Sequence, residues 1–150
     1  MMNKNKYLIL AGVLLLGGIT AKAVSRTDSC RLSKDYAINT FIAAQTGGQP
    51  GNLGDILDDD FRYSMLQLAH EVSYNKKYIV DFFRKARTAV PDCTVKIRPV
   101  MQHKNLSIVK VDMQYRTFTH SDYLTLTNTG CGWKIIFIYE VYEPVVQPPQ

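Results

Sequence analysis

Residues 118–142, FTHSDYLTLTNTGCGWKIIFIYEVY, decide the fold. The first half is rich in Thr and aromatic residues and the second half is almost continuously apolar, so each half has the composition of a β-strand. Gly130-Cys131-Gly132 separates the halves, and so short a connection makes the two strands an antiparallel hairpin. The second strand is apolar on both faces, which predicts a central place in the sheet.

Two further strands precede this hairpin. Apolar and polar residues alternate over 95–98 and again over 109–116, and this period of two is typical of β-strands. Short turns at 103–105 and near 116–117 connect these strands to each other and to the hairpin. The last four strands are therefore predicted to form an antiparallel meander.

The N-terminal half alternates helices with one strand. Helical spacing of apolar residues predicts helices at 34–45, with Ser33 as N-cap, at 52–57 and at about 75–87, and a strand is predicted at 61–68. Asp58-Asp59-Asp60 is interpreted as a solvated turn that ends the second helix, because the glycine and late glutamate of an EF-hand loop do not follow. The order predicts an α+β domain in which two or three N-terminal helices pack on a curved, mostly antiparallel sheet.

This order resembles the nuclear transport factor 2-like superfamily, which includes ketosteroid-isomerase-like and polyketide-cyclase-like proteins. Two stretches carry the resemblance, the Gly-rich break at 47–51 followed by LDDDF at 57–61, and the final GWKIIFI run at 132–138. The resemblance covers residues 33–143. It implies a cone-shaped, cystatin-like roll, often with a pocket at its open end and often dimeric through the outer face of the sheet.

The resemblance does not extend to ketosteroid isomerase chemistry. That reaction needs an oxyanion-hole tyrosine and a general-base carboxylate, and alignment on Asp58-Asp59 places these near Phe41, which has no hydroxyl, and Gln67, which is no useful base. No nucleophile motif, phosphate-binding glycine loop or metal-ligand spacing is present in the sequence, and we expect neither a metal nor another cofactor. His70 and His103 are assigned to loops without a role.

The hairpin brings polar side chains to the edge of an apolar face. In a regular hairpin Asp122 faces Tyr139 and His120 faces Val141, so these groups continue the face that carries Trp133 and Phe137. Polar groups at the edge of an apolar face are typical of a pocket mouth, and a register error of one residue would move them to the other face. The predicted pocket residues are His120, Asp122, Trp133, Phe137 and Tyr139.

Three functions fit this pattern. The leading hypothesis is a pocket protein that binds a small, partly apolar ligand or a protein partner without catalysis. The alternatives are an isomerase, cyclase or hydrolase in which His120 and Asp122 act as general base and orienting acid, and a structural dimer at the cell surface. The predicted homodimer uses the opposite sheet face, which carries Tyr123, Thr125, Ile136, Ile138 and Tyr142.

Residues 1–23 have the three parts of a secretory signal peptide. Lys4 and Lys6 precede 13 apolar residues at 7–19, and Ala21-Lys22-Ala23 supplies a cleavage site. Thirteen apolar residues are too few to cross a bilayer as a helix, which needs about 20. We therefore expect cleavage after Ala23, a single domain over 24–150 without a membrane span, and a periplasmic or secreted location.

Removal of residues 1–23 takes away three lysines and no acid, which lowers the formal net charge from +5 to +2. The remaining basic residues form no patch, and this argues against nucleic acid as a partner. Cys30, Cys93 and Cys131 lack the spacing of a zinc site, so one disulfide and one free thiol are expected in an oxidising compartment. Because Cys93 and Cys131 fall at opposite ends of the predicted meander, Cys30 is expected to pair with either of them.

Overall fold

The computed structural model describes residues 32–47, 51–86 and 92–144. The predicted signal peptide, its cleavage site and Cys30 lie outside these residues. The helices are α1 (Lys34–Gln45), α2 (Leu53–Ile56) and α3 (Lys76–Lys85). The strands are β1 (Leu57–Gln67), β2 (His70–Asn75), β3 (Thr94–Gln102), β4 (Leu106–Gln114), β5 (Phe118–Asn128) and β6 (Trp133–Pro144). No helix in the described ranges is long and apolar enough to span a membrane.

Side-chain caps define where the two longer helices begin. The Tyr36 amide donates to Ser33 Oγ at 3.1 Å, so α1 starts with the predicted N-cap and has the predicted bounds. Asn75 Oδ1 accepts from the Tyr78 amide at 2.9 Å and starts α3 in the same way. Both caps satisfy amide groups that would otherwise lack a partner in the first helical turn.

The six strands form one sheet in the order β2-β1-β6-β5-β4-β3. All neighbouring pairs are antiparallel except β1 and β6, which run parallel. The last strand is therefore central, between β1 and β5, as its apolar composition predicted. Helix α1 packs on β6 and α3 on β1, which confirms the predicted α+β layout. Their buried apolar residues form one core: Ala37, Ile38, Phe41, Ala44, Leu53, Ile56, Leu57, Phe61, Tyr63, Ile79, Phe83, Val109, Val111, Leu124, Leu126, Ile135 and Ile138.

Two features of the N-terminal half differ from the prediction. Strand β2 was not predicted, and His70, which was assigned to a loop, is its first residue. The tight turn before it places Leu68 and Ala69 at positive φ (48° and 65°), where glycine or asparagine would be the expected signal. The aspartates at 58–60 belong to β1 rather than to a turn. They bulge out of the sheet, because four residues of β1 lie opposite one residue of β6 between the Leu57 and Arg62 pairings.

The β5–β6 hairpin contains a β-bulge that corrects the predicted register. Leu126 pairs with Ile135 as predicted, but Thr125 pairs with Phe137, which leaves Ile136 as an extra residue on β6. Beyond this point every β6 residue faces the side opposite to the one predicted. Phe137 and Tyr139 therefore share the outer face with Thr125 and Tyr123, whereas Ile138, Glu140 and Tyr142 share the inner face. Assigning Phe137 and Tyr139 to the pocket face was wrong, and so was assigning Ile138 and Tyr142 to the dimer face.

Candidate functional site

A cavity of about 360 Å³ opens between α3 and the sheet, where β5 begins and β6 ends. Its wall combines Gln45 at the end of α1 with side chains of α3 and of four strands. Seven of the lining residues are aromatic: Tyr63, Tyr74, Tyr78, Phe82, Phe83, Tyr115 and Tyr142. The family resemblance implied a pocket at the open end of a cone-shaped sheet, and this cavity is the candidate for that pocket.

Two stacked ring pairs belong to the wall of the cavity. Tyr74 stacks on Tyr78 with ring centroids 4.4 Å apart, and His120 stacks on Tyr142 at 4.8 Å. Tyr78, Phe82 and Tyr142 are each about half exposed. We call these three exposed rings the aromatic mouth of the cavity. Exposed aromatic side chains of this kind are typical of surfaces that bind a ligand or a partner.

The polar side chains of the cavity come from three strands and one helix. Asp122 on β5 pairs directly with Glu140 on β6, so both side chains point to the inner face together with His120, two residues earlier. Tyr63 arrives from the parallel strand β1, which pairs with β6 beside them. Gln45, the last residue of α1, reaches the same point from the helix layer.

These side chains form one hydrogen-bonded cluster. Gln45 Nε2 donates to Asp122 Oδ2 at 3.0 Å, and the Tyr63 hydroxyl donates to Glu140 Oε2 and lies 3.3 Å from Asp122 Oδ1. His120 Nε2 faces both carboxylates, 3.3 Å from Asp122 Oδ1 and 3.6 Å from Glu140 Oε2. Asp122 is fully buried, whereas His120 and Glu140 lie in the cavity wall. We refer to Gln45, Tyr63, His120, Asp122 and Glu140 as the buried polar cluster.

The cluster shifts the pKa of each ionisable member. Burial alone would lower the pKa of His120, but its hydrogen bonds to Asp122 and Glu140 raise it to about 9. Burial raises the pKa of Asp122; it opposes ionisation of Glu140 too, but there the hydrogen bonds with His120 and Tyr63 prevail and lower the pKa. Burial and the nearby charges of Asp122 and Glu140 raise the pKa of Tyr63. At neutral pH the cavity therefore presents an imidazolium, an ionised Glu140 and a neutral tyrosine.

We expect the free energy of unfolding to fall as the pH rises from about 6.5 to about 9. The raised pKa of His120 stabilises the folded state fully below the ordinary value of 6.5, and this contribution is lost as the pH passes through about 9. Two groups facing the imidazole act outside this interval, because the pKa of Tyr63 is raised above its ordinary 10 and that of Glu140 is lowered, whereas burial raises the pKa of Asp122. Urea unfolding across this interval, compared between the unchanged chain and His120→Gln, measures the effect. Equal pH dependence in both would contradict it.

His120, Asp122 and Glu140 also place potential ligand atoms within 4.8 Å of one another. Metal coordination would need an unprotonated imidazole nitrogen. In this cluster the nitrogen holds a proton between two carboxylates, and Tyr63 occupies the facing oxygen of Glu140. The geometry is that of an ionic hydrogen-bond cluster, although a divalent cation that displaced the proton would find one imidazole and two carboxylate donors here.

Three of the five predicted pocket residues lie on the inner face. His120 and Asp122 are in contact as predicted, and Trp133 faces inward too but packs against the core at the other end of the hairpin, where Lys34 Nζ lies 5.7 Å from its ring. Phe137 and Tyr139 lie on the outer face. Gln45, Tyr63 and Glu140 were not predicted. Glu140 had a signal, since it is the one charged residue between Ile135 and Tyr142.

A larger, shallower depression of about 560 Å³ lies outside the sheet, between β1 and α3. Its charged side chains already pair with one another, as in Lys76–Asp59 at 2.9 Å and Lys77–Asp81 at 2.7 Å. Surface ion pairs of this kind are ordinary features of a solvated helix. The aromatic cavity is the candidate site.

Comparison with known proteins agrees with this architecture. Residues 35–139 match the profile of the family described as "Putative lumazine-binding". No curated protein matches the chain.

Solved structures with the nuclear transport factor 2-like fold resemble the chain at low identity. A protein of unknown function from Silicibacter pomeroyi is 16% identical with a TM-score of 0.61, over 73% of this chain and 92% of its own. Another from Methylobacillus flagellatus is 13% identical with a TM-score of 0.59, over 81% and 94%. A "putative ketosteroid isomerase" from Parabacteroides distasonis is 16% identical with a TM-score of 0.52, over 76% and 88%. Likeness at this identity shows the fold, which confirms the predicted resemblance.

Proposed function

Since this chain belongs to the "Putative lumazine-binding" family, we propose that its aromatic cavity binds a small, partly apolar organic molecule without catalysis. The observation that carries the proposal is a cavity of about 360 Å³ with aromatic walls and a buried polar cluster at its end. Small-molecule sites have this size and this combination of apolar wall and few polar groups. The polar groups are held by one another, so they are in place before a ligand arrives.

The aromatic mouth supports a flat ligand. The rings of Tyr74 and Tyr78 are inclined to each other by 14° and those of His120 and Tyr142 by 20°, so each pair forms a flat stack. A planar ring laid against either stack gains stacking in addition to the burial of apolar area. Such a ligand would also cover part of the exposed surface of Tyr78, Phe82 and Tyr142.

Quinoline, a flat bicyclic ring, is a suitable probe for the proposal. We expect it to perturb the amide NMR signals of α3 and of the pocket ends of β5 and β6. The Phe82→Ala variant should bind it more weakly, whereas Ile97→Ala should bind it unchanged. Both side chains are about half exposed, but Ile97 lies on β3, away from the cavity. Perturbation confined to other surfaces, or none, would refute the proposal.

Proton-transfer catalysis is the second candidate function. The observation that favours it is the presence of His120 and Glu140 together in the cavity wall. With its pKa near 9, His120 would act as the acid, and the carboxylate of Glu140, which lines the cavity, rather than that of Asp122 behind it, would act as the base. Turnover of a bound compound that is lost in His120→Gln while binding is retained would establish an enzyme.

We propose that the protein is exported and works in the periplasm or outside the cell. The support is the basic, apolar and small-residue pattern of residues 1–23. Intact-mass measurement of the protein recovered from the extracytoplasmic fraction should give a chain that starts at Val24. A full-length chain in the cytoplasm would refute the export proposal.

Within an exported protein, we propose that Cys30 pairs with Cys131 rather than with Cys93. Leu32, two residues after Cys30, forms a bridge with Gly132, the neighbour of Cys131, and Trp133 N donates to Leu32 O at 2.9 Å. Cys93 precedes β3 and lies at the opposite end of the sheet. Peptide mapping without reduction should recover the Cys30–Cys131 pair and a free Cys93 thiol. A Cys30–Cys93 peptide would refute this pairing.

The homodimer remains a proposal, with a corrected contact surface. The outer face of β5 and β6 carries Tyr123, Thr125, Phe137 and Tyr139, all partly exposed, and Tyr123 lies directly opposite Tyr139. This apolar strip would be covered in a dimer that joins two outer faces. Light scattering of the unchanged protein should give twice the mass of one chain. The Tyr139→Lys variant places a charge in the contact surface and should give the mass of a single chain. A monomer at all concentrations would refute the proposal.

A further inference from the structure

We propose that the cavity selects a neutral or cationic ring that donates an N–H hydrogen bond to Glu140 Oε1, and that it rejects anionic ligands. An aminated heteroaromatic compound is the ligand class that these features describe. The inference rests on the proposed ligand-binding function and adds the chemistry by which the ligand is chosen.

The first observation is an acceptor without a donor. Among the buried side-chain nitrogen and oxygen atoms of residues 32–47, 51–86 and 92–144, Glu140 Oε1 alone has no hydrogen-bond partner. Leaving a buried carboxylate oxygen without a hydrogen bond is unfavourable. A bound ligand that donates a hydrogen bond to this oxygen would remove that cost. Glu140 is 5% exposed and lines the cavity.

The second observation is that this carboxylate is fixed. Its other oxygen, Oε2, accepts from Tyr63 and faces His120 Nε2 at 3.6 Å. A turn of the carboxylate that satisfied Oε1 internally would break these contacts. Oε1 itself has almost no accessible surface, so a ligand donor reaches this fixed acceptor by displacing the side chain that covers it.

Tyr142 is the internal competitor for this oxygen. Burial raises the pKa of the Tyr142 hydroxyl, and so do the charge of Glu140 and a hydrogen bond with it, so this hydroxyl is adjacent to the carboxylate. A small movement of this hydroxyl could supply a donor to Glu140 in the absence of a ligand. A ligand must then displace it, so removing the hydroxyl in Tyr142→Phe should strengthen binding.

The third observation is the distribution of charge. Among residues 32–47, 51–86 and 92–144, no lysine or arginine lines the cavity, and its charged members there are His120 and Glu140, with Asp122 behind them. The imidazolium is already engaged by both carboxylates and is not free to bind an anion. An anionic ligand would meet Glu140 without a compensating cation, whereas a cation would be attracted by Glu140 and by the faces of the aromatic rings.

Three probes of similar size test the inference on the full chain: 2-aminoquinoline, quinoline and quinoline-2-carboxylate. A hydrogen bond to a charged acceptor corresponds to a roughly 10- to 100-fold gain in affinity. We expect 2-aminoquinoline to bind at least about tenfold more tightly than quinoline, and quinoline-2-carboxylate to bind more weakly than both. Calorimetry or NMR titration gives the three dissociation constants.

Two matched variants assign the effect to one carboxylate. Glu140→Gln should lose the preference for the amine, measured within this variant as the ratio of its dissociation constants for quinoline and 2-aminoquinoline. Glu143 lies on the same strand, but its carboxylate is exposed and points to the other face of the sheet. Glu143→Gln should therefore keep the preference for the amine. If Glu140→Gln does not fold, the ranking of the three probes on the unchanged chain still decides the question.

The outcomes separate this inference from the proposed function. Equal affinity for quinoline and 2-aminoquinoline in the cavity would overturn the inference and leave the ligand-binding function standing. Tighter binding of the carboxylate would overturn the inference as well. Failure of all three probes to bind would overturn both.

Discussion

The Asp122→Ala variant is expected to lose about 3–5 kcal/mol of unfolding free energy. Asp122 is fully buried, accepts from Gln45 and His120 at 3.0 and 3.3 Å, and lies 3.3 Å from the Tyr63 hydroxyl. Removing it leaves the amide of Gln45 unpaired and the imidazolium with one carboxylate partner instead of two. Burial raises the pKa of Asp122, which means that burying its charge is unfavourable. Removing the carboxylate recovers this desolvation cost and offsets part of the lost stability, but it does not replace the lost hydrogen bonds.

Two comparisons make the Asp122 prediction specific. Asp122→Asn keeps the shape and one acceptor, so urea unfolding at pH 7 should show a smaller loss, about 1–2 kcal/mol. Asp59→Ala removes a carboxylate that is also ion-paired, with Lys76 at 2.9 Å, but almost fully exposed, and it should change little. If Asp122→Ala cost no more than Asp59→Ala, the buried polar cluster would not support the fold.

Gly132→Ala is expected to cost about 2–4 kcal/mol, several times more than a cap or surface change. Gly132 has φ +123°, and an added Cβ would lie 2.8 Å from Leu32 N and 3.0 Å from Leu32 O. These are backbone atoms, so relief requires the bridge between Leu32 and Gly132 to open. The hydrogen bond from Trp133 N to Leu32 O would be lost with it.

Gly130 offers a matched control in the same turn. It too has positive φ (+83°), but nothing lies within 4 Å of an added Cβ, so Gly130→Ala carries only the backbone penalty of about 1 kcal/mol. Urea unfolding of both variants separates the backbone penalty, which both share, from the clash with Leu32, which only Gly132→Ala has. Hydrogen exchange at the Trp133 amide reports whether the bridge to Leu32 has opened. Equal losses and an unchanged Trp133 amide would mean that the bridge is not formed in solution.

Local signals in the sequence were sufficient for most of the fold. The Ser33 cap and the apolar spacing gave α1 its bounds, and the apolar run of β6 gave its central place. Strand β2 was missed because Leu68 and Ala69 form its turn without the residue types that favour positive φ. The turn is set by the pairing of β1 with β2, which is not a local property of the turn residues.

The candidate site was predicted only in part, because it depends on long-range pairing. His120 and Asp122 were found because they lie two residues apart on one strand. Tyr63 could not be placed without the parallel pairing of β1 and β6, which brings residues far apart in the chain together. Glu140 was missed because Ile136 lies in a run that is apolar on both faces, where a bulge leaves no trace in the pattern.

The bridge at Leu32 also determines how the protein can be held. Leu32 joins the sheet beside Gly132, at the hairpin end of β5, whereas His120 and the cavity lie eight residues away along that strand, roughly 25 Å at the usual rise. The described part of the chain therefore enters the sheet at the end opposite the cavity. A tether that continued outward from Leu32 would present the aromatic mouth to the surrounding solution.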